Sequence, residues 1–126
     1  MAPRSDSVLV VEDDQDLREL VSGVLEREGF GVWTASDGEA ALDRMRHGAT
    51  PGVILLDMRM PRMDGWAFAR ELRRRHGAAI PLVVMTAAAN ARARAAEVGA
   101  VGCLAKPFDI EDLIVVVRRF VGAGVR

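Results

Sequence analysis

Four short apolar runs in this chain each end in a polar residue, and this pattern constrains the fold most. The runs occupy residues 8–11, 53–56, 82–85 and 101–105. A continuous apolar run of this length is typical of a parallel strand that helices cover on both faces. The pattern therefore predicts a parallel sheet with polar side chains at the carboxyl ends of its strands.

Helical patterns alternate with these runs. Residues 14–28, 64–75, 90–98 and 110–121 carry apolar residues at helical spacing, and a capping-box pattern at Ser36 and Glu39 begins a further helix. We expect the first and the last of these helices each to bury one stripe of apolar residues. The two stripes are Leu17, Leu20, Val21, Val24 and Leu25, and Ile110, Leu113, Ile114, Val117 and Val121.

Residues 30–35 add a strand and residues 81–85 complete the fourth, so five strands alternate with five helices. This alternation predicts an α/β fold with an open, doubly wound parallel sheet in one domain, residues 1–126. Residues 1–7 and 122–126 are expected to be short tails. Alternation alone leaves the strand order open. We adopt the flavodoxin-like order 2-1-3-4-5, which places strands 1 and 3 side by side.

Composition narrows the class of protein. Hydrophobic residues make up 50% of the 126-residue chain and charged residues 28%, which favours a folded globular domain. The net charge of −1 gives no general attraction to nucleic acid, and no apolar run reaches membrane-spanning length. Cys103 is the only cysteine, which excludes an internal disulfide and a cysteine-based zinc site. We therefore expect a cytoplasmic protein that binds neither nucleic acid nor membranes directly.

The polar residues at the strand ends suggest a site. In open doubly wound sheets, ligands bind beyond the carboxyl ends of the strands. The candidates there are Glu12, Asp13, Asp57, Thr86 and Lys106. A carboxylate can accept a phosphoryl group, Mg²⁺ prefers one or two carboxylates with phosphate oxygens and water, and lysine is a compact positive charge. The set therefore predicts phosphoryl transfer to a carboxylate with Mg²⁺.

Most of these residues also have a purely structural interpretation. Asp14 is expected to cap a helix rather than to bind metal, and Asp13 could do the same. Thr86 alone would be a turn hydroxyl, and Lys106 alone would be a solvated cation. A carboxylate directly after a buried strand, as at Asp13 and Asp57, favours function by itself, whereas Thr86 and Lys106 gain weight only from the combination. We also expect a cis peptide bond before Pro107.

Four segments resemble the receiver domains of bacterial two-component response regulators. They are VEDD at residues 11–14, LDMRMPRMDG at 56–65, MTA at 85–87 and LAKPF at 104–108, and the resemblance covers essentially the whole chain. It implies that Asp57 accepts a phosphoryl group from a histidine kinase or a histidine phosphotransfer protein. It also implies Mg²⁺ bound by Asp13, Asp57 and the backbone carbonyl of Arg59, with Glu12 acting mainly through water.

One position departs from the family pattern. Three residues before the lysine the family commonly has tyrosine or phenylalanine, whose ring reorients with the neighbouring threonine. Here the position is Cys103, and the chain contains no tyrosine. We expect Cys103 to be a small buried core residue rather than a redox sensor.

The resemblance also suggests an output surface. Receivers commonly signal through their fourth helix, fifth strand and fifth helix, which would involve Arg92, Arg94, Val115 and Arg119. The partner would be an effector protein or a second copy of the chain. The sequence is expected to be either a stand-alone receiver that acts by protein contact or a piece of a longer regulator, and Met1 with the short tail slightly favours the first. We expect a phosphoacceptor with weak autophosphorylation and autodephosphorylation, not an enzyme with a separate substrate.

Two alternatives belong to other classes. One is a receiver-like interaction module that works without phosphorylation. The intact Asp13, Asp57, Thr86 and Lys106 argue against this module, while Cys103 leaves room for it. The other is a phosphatase or a flavin-binding protein of similar topology. A haloacid dehalogenase-type hydrolase would need a second aspartate where Arg59 stands, and Glu12, Asp13 and Asp14 would repel a flavin phosphate.

Overall fold

The computed structural model describes residues 7–46 and 50–121, without the side chain of Ala88. The five strands are β1 (Ser7–Val11), β2 (Gly31–Ala35), β3 (Val53–Asp57), β4 (Leu82–Ala87) and β5 (Gly102–Lys106). The helices are α1 (Gln15–Arg27), α2 (Gly38–Arg46), α3 (Gly65–His76), α4 (Ala91–Glu97) and α5 (Ile110–Arg118), with a short 3-10 helix, Ala88–Asn90, before α4.

The predicted alternation is confirmed, with small changes at the ends of elements. Ser7 already belongs to β1, and the other expected tail residues lie outside the described part of the chain. β4 continues to Ala87, and α5 ends at Arg118 rather than at residue 121. Asp37 rather than Ser36 caps α2, since its Oδ1 accepts a hydrogen bond from the Ala40 backbone N–H at 2.8 Å.

The sheet is parallel throughout and has the order β2-β1-β3-β4-β5, as predicted. β1 and β3 are direct neighbours, with Val10 paired to Leu55. β4 lies beside β3, with Asp57 paired to Met85. The carboxyl ends of β1, β3, β4 and β5 therefore meet at one edge of the sheet.

Two hydrophobic cores explain the continuous apolar runs. Val8 and Val10 of β1 face the core formed with α1 and α5, whereas Leu9 and Val11 face the core formed with α2 and α3. Side chains along a strand alternate between its two faces, and here helices cover both faces. Every residue from 8 to 11 and from 53 to 56 is consequently buried.

Two residues of the predicted inward stripes are exposed instead. Leu20 of α1 is 54% exposed and Ile110 of α5 is 49% exposed. Leu20 lies at the edge of the arc that the other apolar residues of α1 occupy, and Ile110 is the first residue of α5. Both line the mouth of one cleft at the carboxyl edge of the sheet.

The connection from β3 to α3 is closed by a tight contact. The Gly65 backbone N–H donates to the Met58 carbonyl at 3.1 Å. A Cβ at position 65 would lie only 2.7 Å from the Met58 Cα, so only glycine allows this approach. The loop that follows Asp57 is thereby fixed where it enters α3.

None of the helices in the described part of the chain combines the length and the apolarity needed to cross a bilayer.

Candidate functional site

Strand alternation delivers three charged side chains to the same place. Glu12, Asp57 and Lys106 each follow by two residues a member of the core on the α1–α5 side. These core members are Val10, Leu55 and Leu104. Because side chains repeat every two residues along a strand, the three charged groups emerge on that side at the carboxyl edge. Lys106 Nζ lies 2.9 Å from Glu12 Oε1 and 3.5 Å from Asp57 Oδ1.

Three carboxylates at this edge can hold a cation together. One oxygen each of Glu12, Asp13 and Asp57 lies within 4.8 Å of the other two. Glu12 and Asp57 are buried, whereas Asp13 is exposed. Oxygen donors in a site that is open on one side suit Mg²⁺, which keeps several waters or phosphate oxygens as ligands. The acidic cluster therefore fits the predicted cofactor.

Arg59 lies beside this cluster. Its backbone N–H donates to Asp57 Oδ1 at 3.2 Å, and the residue lines the same cleft. This hydrogen bond ties the first turn of the β3–α3 loop to the Asp57 carboxylate. The predicted role of the Arg59 carbonyl as a metal ligand stays a prediction, as do the other assigned site roles.

Glu12 is held by the protein on both of its oxygens. Oε1 accepts from Lys106 Nζ, and Oε2 accepts from the Asp14 backbone N–H at 3.1 Å. Sequence reasoning missed this ion pair because its partners are 94 residues apart and no local pattern connects them. In this arrangement Glu12 orients Lys106 toward Asp57. Asp14 itself caps α1, as expected, through a 3.1 Å bond from the Leu17 N–H.

The other predicted residues complete the cleft. Thr86 is buried near the end of β4, next to β3, and lines the cleft together with Asp57 and Lys106. The peptide bond between Lys106 and Pro107 is cis, as expected. The cleft has a volume of about 970 Å³ and extends from the carboxylates to Leu20. It has room for a phosphoryl group and for part of a donor molecule.

The electrostatics of the cleft make Asp57 bind a proton more tightly than an exposed aspartate does when no cation is bound. Burial is the main cause that raises the pKa of Asp57 to about 7, and the negative charge of Glu12 adds to it. The ammonium of Lys106 opposes this shift. Burial lowers the pKa of Lys106, but the hydrogen bond to Glu12 and the charges of Asp57 and Glu12 outweigh it and raise that pKa above its ordinary value.

Three of the four residues of the predicted output surface are exposed. Arg92, Val115 and Arg119 are exposed. Arg94, however, turns away toward α3, with its guanidinium 5.6 Å from the centre of the Trp66 ring. Glu97 accepts from Trp66 Nε1 and from an Arg94 amino group, both at 2.8 Å. Arg94 therefore joins α4 to α3, because the ring and the carboxylate together attract its guanidinium.

Cys103 is less buried than the sequence suggested. It is partly exposed and packs against the core on the α2–α3 side. It also lines a second cleft, of about 420 Å³, together with Val115, Val116 and Arg119. The side chain that replaces the family's aromatic residue thus borders open space on the expected output surface.

Removing the charge of Asp57 should stabilise the metal-free protein, and more so at pH 8 than at pH 5. The folded state binds this proton more tightly than the unfolded chain does, so stability falls as the pH rises from about 4 toward 7. Asp57→Asn abolishes this loss. Its advantage in unfolding free energy should be about 1–3 kcal/mol larger at pH 8 than at pH 5.

Urea unfolding with a chelator at both pH values measures this difference. Glu26→Gln is the control, because it removes one exposed negative charge of α1 outside the cleft. An Asp57→Asn advantage that is equal at pH 5 and pH 8 would contradict the assigned electrostatics.

Comparison with known proteins agrees with this geometry. Residues 8–118 match the family model of the response regulator receiver domain. The DNA-binding transcriptional regulator NtrC of Escherichia coli is 36% identical over 114 residues, which cover 89% of this chain and 24% of that protein. A CpxR homolog of Haemophilus influenzae, a transcriptional regulatory protein, is 38% identical over 109 residues, covering 85% and 46%. The chain spans less than half the length of both relatives.

Solved structures show the same fold. The receiver domain of NtrX from Brucella abortus superposes with a TM-score of 0.82 at 34% identity, covering 91% of this chain and 98% of that one. The chemotaxis protein CheY4 of Vibrio cholerae has a TM-score of 0.81 at 32% identity, covering 94% and 99%. The family match spans most of the chain, and the fold and the cleft are those expected of such a domain. The chain therefore belongs to the receiver domains of two-component response regulators.

Proposed function

We propose that this protein is a phosphorylation-dependent signalling switch of the cytoplasm. Asp57 accepts a phosphoryl group, with Mg²⁺, from a histidine kinase or a histidine phosphotransfer protein. The observation that carries the proposal is the placement of the buried Asp57 carboxylate beside the Lys106 ammonium and two further carboxylates. This arrangement combines a nucleophile, a cation site and a fixed positive charge in one cleft.

The transfer step uses Asp57 as the nucleophile. One carboxylate oxygen attacks the phosphorus of the donor's phosphohistidine and forms a new P–O bond. The P–N bond breaks, and its electron pair leaves with the imidazole nitrogen. Bound Mg²⁺ supplies charge neutralisation at the phosphoryl oxygens. Asp13, Asp57 and the Arg59 carbonyl would hold it, while Glu12 keeps Lys106 in place.

Lys106 and Thr86 then bind the new phosphoryl group. Phosphorylation replaces the single charge of Asp57 by a phosphoryl group that carries about −1.5 to −2. Lys106 Nζ, which lies 3.5 Å from Asp57, exchanges part of its contact with Glu12 for the phosphoryl oxygens. Thr86 donates its hydroxyl hydrogen to the same group. These contacts bias the loops after β3 and β4 toward a second conformation.

The output passes by protein contact rather than by turnover of a separate substrate. The surface formed by α4, β5 and α5 presents Arg92, Val115 and Arg119 to an effector protein or to a second copy of the chain. Val115 is 54% exposed and can form the apolar centre of that contact. Autophosphorylation by small phosphodonors and slow autodephosphorylation are the only reactions assigned to the protein.

A receiver-like interaction module that works without phosphate is the second candidate. Cys103 favours it, because an aromatic side chain that could couple Thr86 to the surface is missing there. The intact acidic cluster and Lys106 support the switch instead.

Incubation with acetyl phosphate and Mg²⁺ should add one phosphoryl group to the protein, as measured by intact mass. Asp57→Asn should abolish the gain because it removes the nucleophile, and Asp13→Asn should reduce it because it removes a cation ligand. Asp64→Asn is the matched control, since asparagine can keep the cap that Asp64 provides to α3. An unchanged wild-type mass under conditions that label another receiver would favour the interaction module.

Cys103→Tyr should be tolerated and should strengthen the coupling. The cleft beside Cys103 has room for a ring, so the unfolding free energy should change by less than about 1 kcal/mol. Amide chemical shifts of residues 92–98 should change more on phosphorylation than in the wild type. Cys103→Ser, which keeps the size of the side chain, is the control. A destabilisation of about 1–3 kcal/mol in Cys103→Tyr would instead show that the ring overpacks the site.

A further inference from the structure

The loop that follows Asp57 contains a strained turn. The Met63 backbone N–H donates to the Pro61 carbonyl at 2.7 Å, and Arg62 between them has φ of 65°. This hydrogen bond with a positive φ at the central residue is the pattern of a classic γ-turn, which is rare and strained. Arginine has no intrinsic preference for this conformation, so its neighbours have to stabilise it.

An ion pair holds this turn in place. Arg62 Nε donates to Asp37 Oδ2 at 3.1 Å, and one of its amino groups contacts the same oxygen. Asp37 is only 4% exposed, and its other oxygen caps α2 through the Ala40 N–H. The Ala40 hydrogen bond and then Arg62 hold the pKa of Asp37 below its ordinary value. The carboxylate therefore joins the β3–α3 loop to the start of α2.

The turn also rests on α2 through van der Waals contact. A Cβ at Gly38 would lie 3.0 Å from the Met63 Sδ and 3.2 Å from the Met63 carbonyl oxygen. A larger side chain at Gly38 would require Met63 to move by a few tenths of an ångström. The ion pair and this close contact fix the far end of the loop from one side.

The near end of the same loop borders the proposed cation site. Arg59 N–H is bonded to Asp57 Oδ1, and Met58 is fully buried and bonded to Gly65. Only Met60 separates Arg59 from Pro61, the first residue of the γ-turn. A shift of the turn must therefore be absorbed largely by the peptides on either side of Arg59. Neither Asp37 nor Arg62 lines the cleft, so neither touches the reacting atoms.

We propose that Asp37 and Arg62 are positioning residues, a clamp that holds the β3–α3 loop in the geometry that the cation and the phosphoryl group require. The inference rests on the proposed function and adds two residues to it. The clamp acts on the Arg59 carbonyl through the backbone, without contact to the metal. Loss of the pair frees the turn to relax, and the cation then has to order the loop when it binds.

Two variants break the Asp37–Arg62 ion pair and preserve the helix cap or the turn beside it. Asp37→Asn removes the charge but keeps a side chain that caps helices well. Arg62→Asn removes the guanidinium but keeps a residue that tolerates positive φ. The control is Glu28→Gln, which breaks the Arg118–Glu28 ion pair between α5 and the end of α1. This pair lies away from the loop.

Titration calorimetry with Mg²⁺, well below the unfolding midpoint, should give a Kd that is about three- to tenfold higher in either clamp variant. The double variant should be no weaker than the weaker single variant, because both changes break one interaction. Arg62→Lys, which keeps a positive charge, should recover part of the affinity. The Kd of Glu28→Gln should equal that of the wild type.

A second readout needs no metal. Amide hydrogen exchange of residues 60–63 in the metal-free protein should be faster in the clamp variants than in the wild type and in Glu28→Gln. If Asp37→Asn fails to fold, Arg62→Asn decides alone, because the Arg62 side chain is 62% exposed. A wild type that binds Mg²⁺ with clamp variants of equal Kd would overturn this inference alone. A wild type without Mg²⁺ binding would overturn the proposed function with it.

Discussion

The repulsion among Glu12, Asp13 and Asp57 is the constraint on which the site depends. Three carboxylates share one sheet edge with a single ammonium, so the cluster is short of positive charge. Burial and the charge of Glu12 raise the pKa of Asp57, so Asp57 binds a proton more readily until a cation replaces it. In the proposed function, this imbalance is the reason why Asp57 would need both a divalent cation and a lysine to act as a nucleophile.

The fold tolerates the repulsion within this cluster because helices bury both faces of a parallel sheet. Two separate cores anchor the strands, so the charged side chains project from rigid elements. The β3–α3 loop and α4 would respond to phosphorylation in the proposed function, and both are held by side-chain contacts. The β3–α3 loop depends on a γ-turn and one ion pair, and α4 is joined to α3 by Trp66, Glu97 and Arg94. These are the places where a change of charge at Asp57 can shift a conformation.

The sequence predicted the elements well and placed the candidate site residues at one sheet edge, because both depend on local pattern. Buried runs identify strands, and polar residues at their ends identify the site edge. The strand order was adopted from a known order of doubly wound sheets, because alternation alone leaves it open. The missed features are contacts between distant parts of the chain, such as Glu12 with Lys106, Asp37 with Arg62, and Arg94 with Trp66. No periodicity encodes such pairs, and Leu20 was misjudged because it lies at the edge of a stripe.

Binding of beryllofluoride, a phosphoryl mimic, followed by fluorine NMR tests the central claim most directly. The account predicts bound fluoride resonances only in the presence of Mg²⁺, together with a shift of the Lys106 ammonium resonance as Lys106 turns from Glu12 to the fluorides. Asp57→Asn should abolish both signals. Bound fluorides that persist in Asp57→Asn, or that form equally well without Mg²⁺, would contradict a cation-assisted phosphoryl site on Asp57.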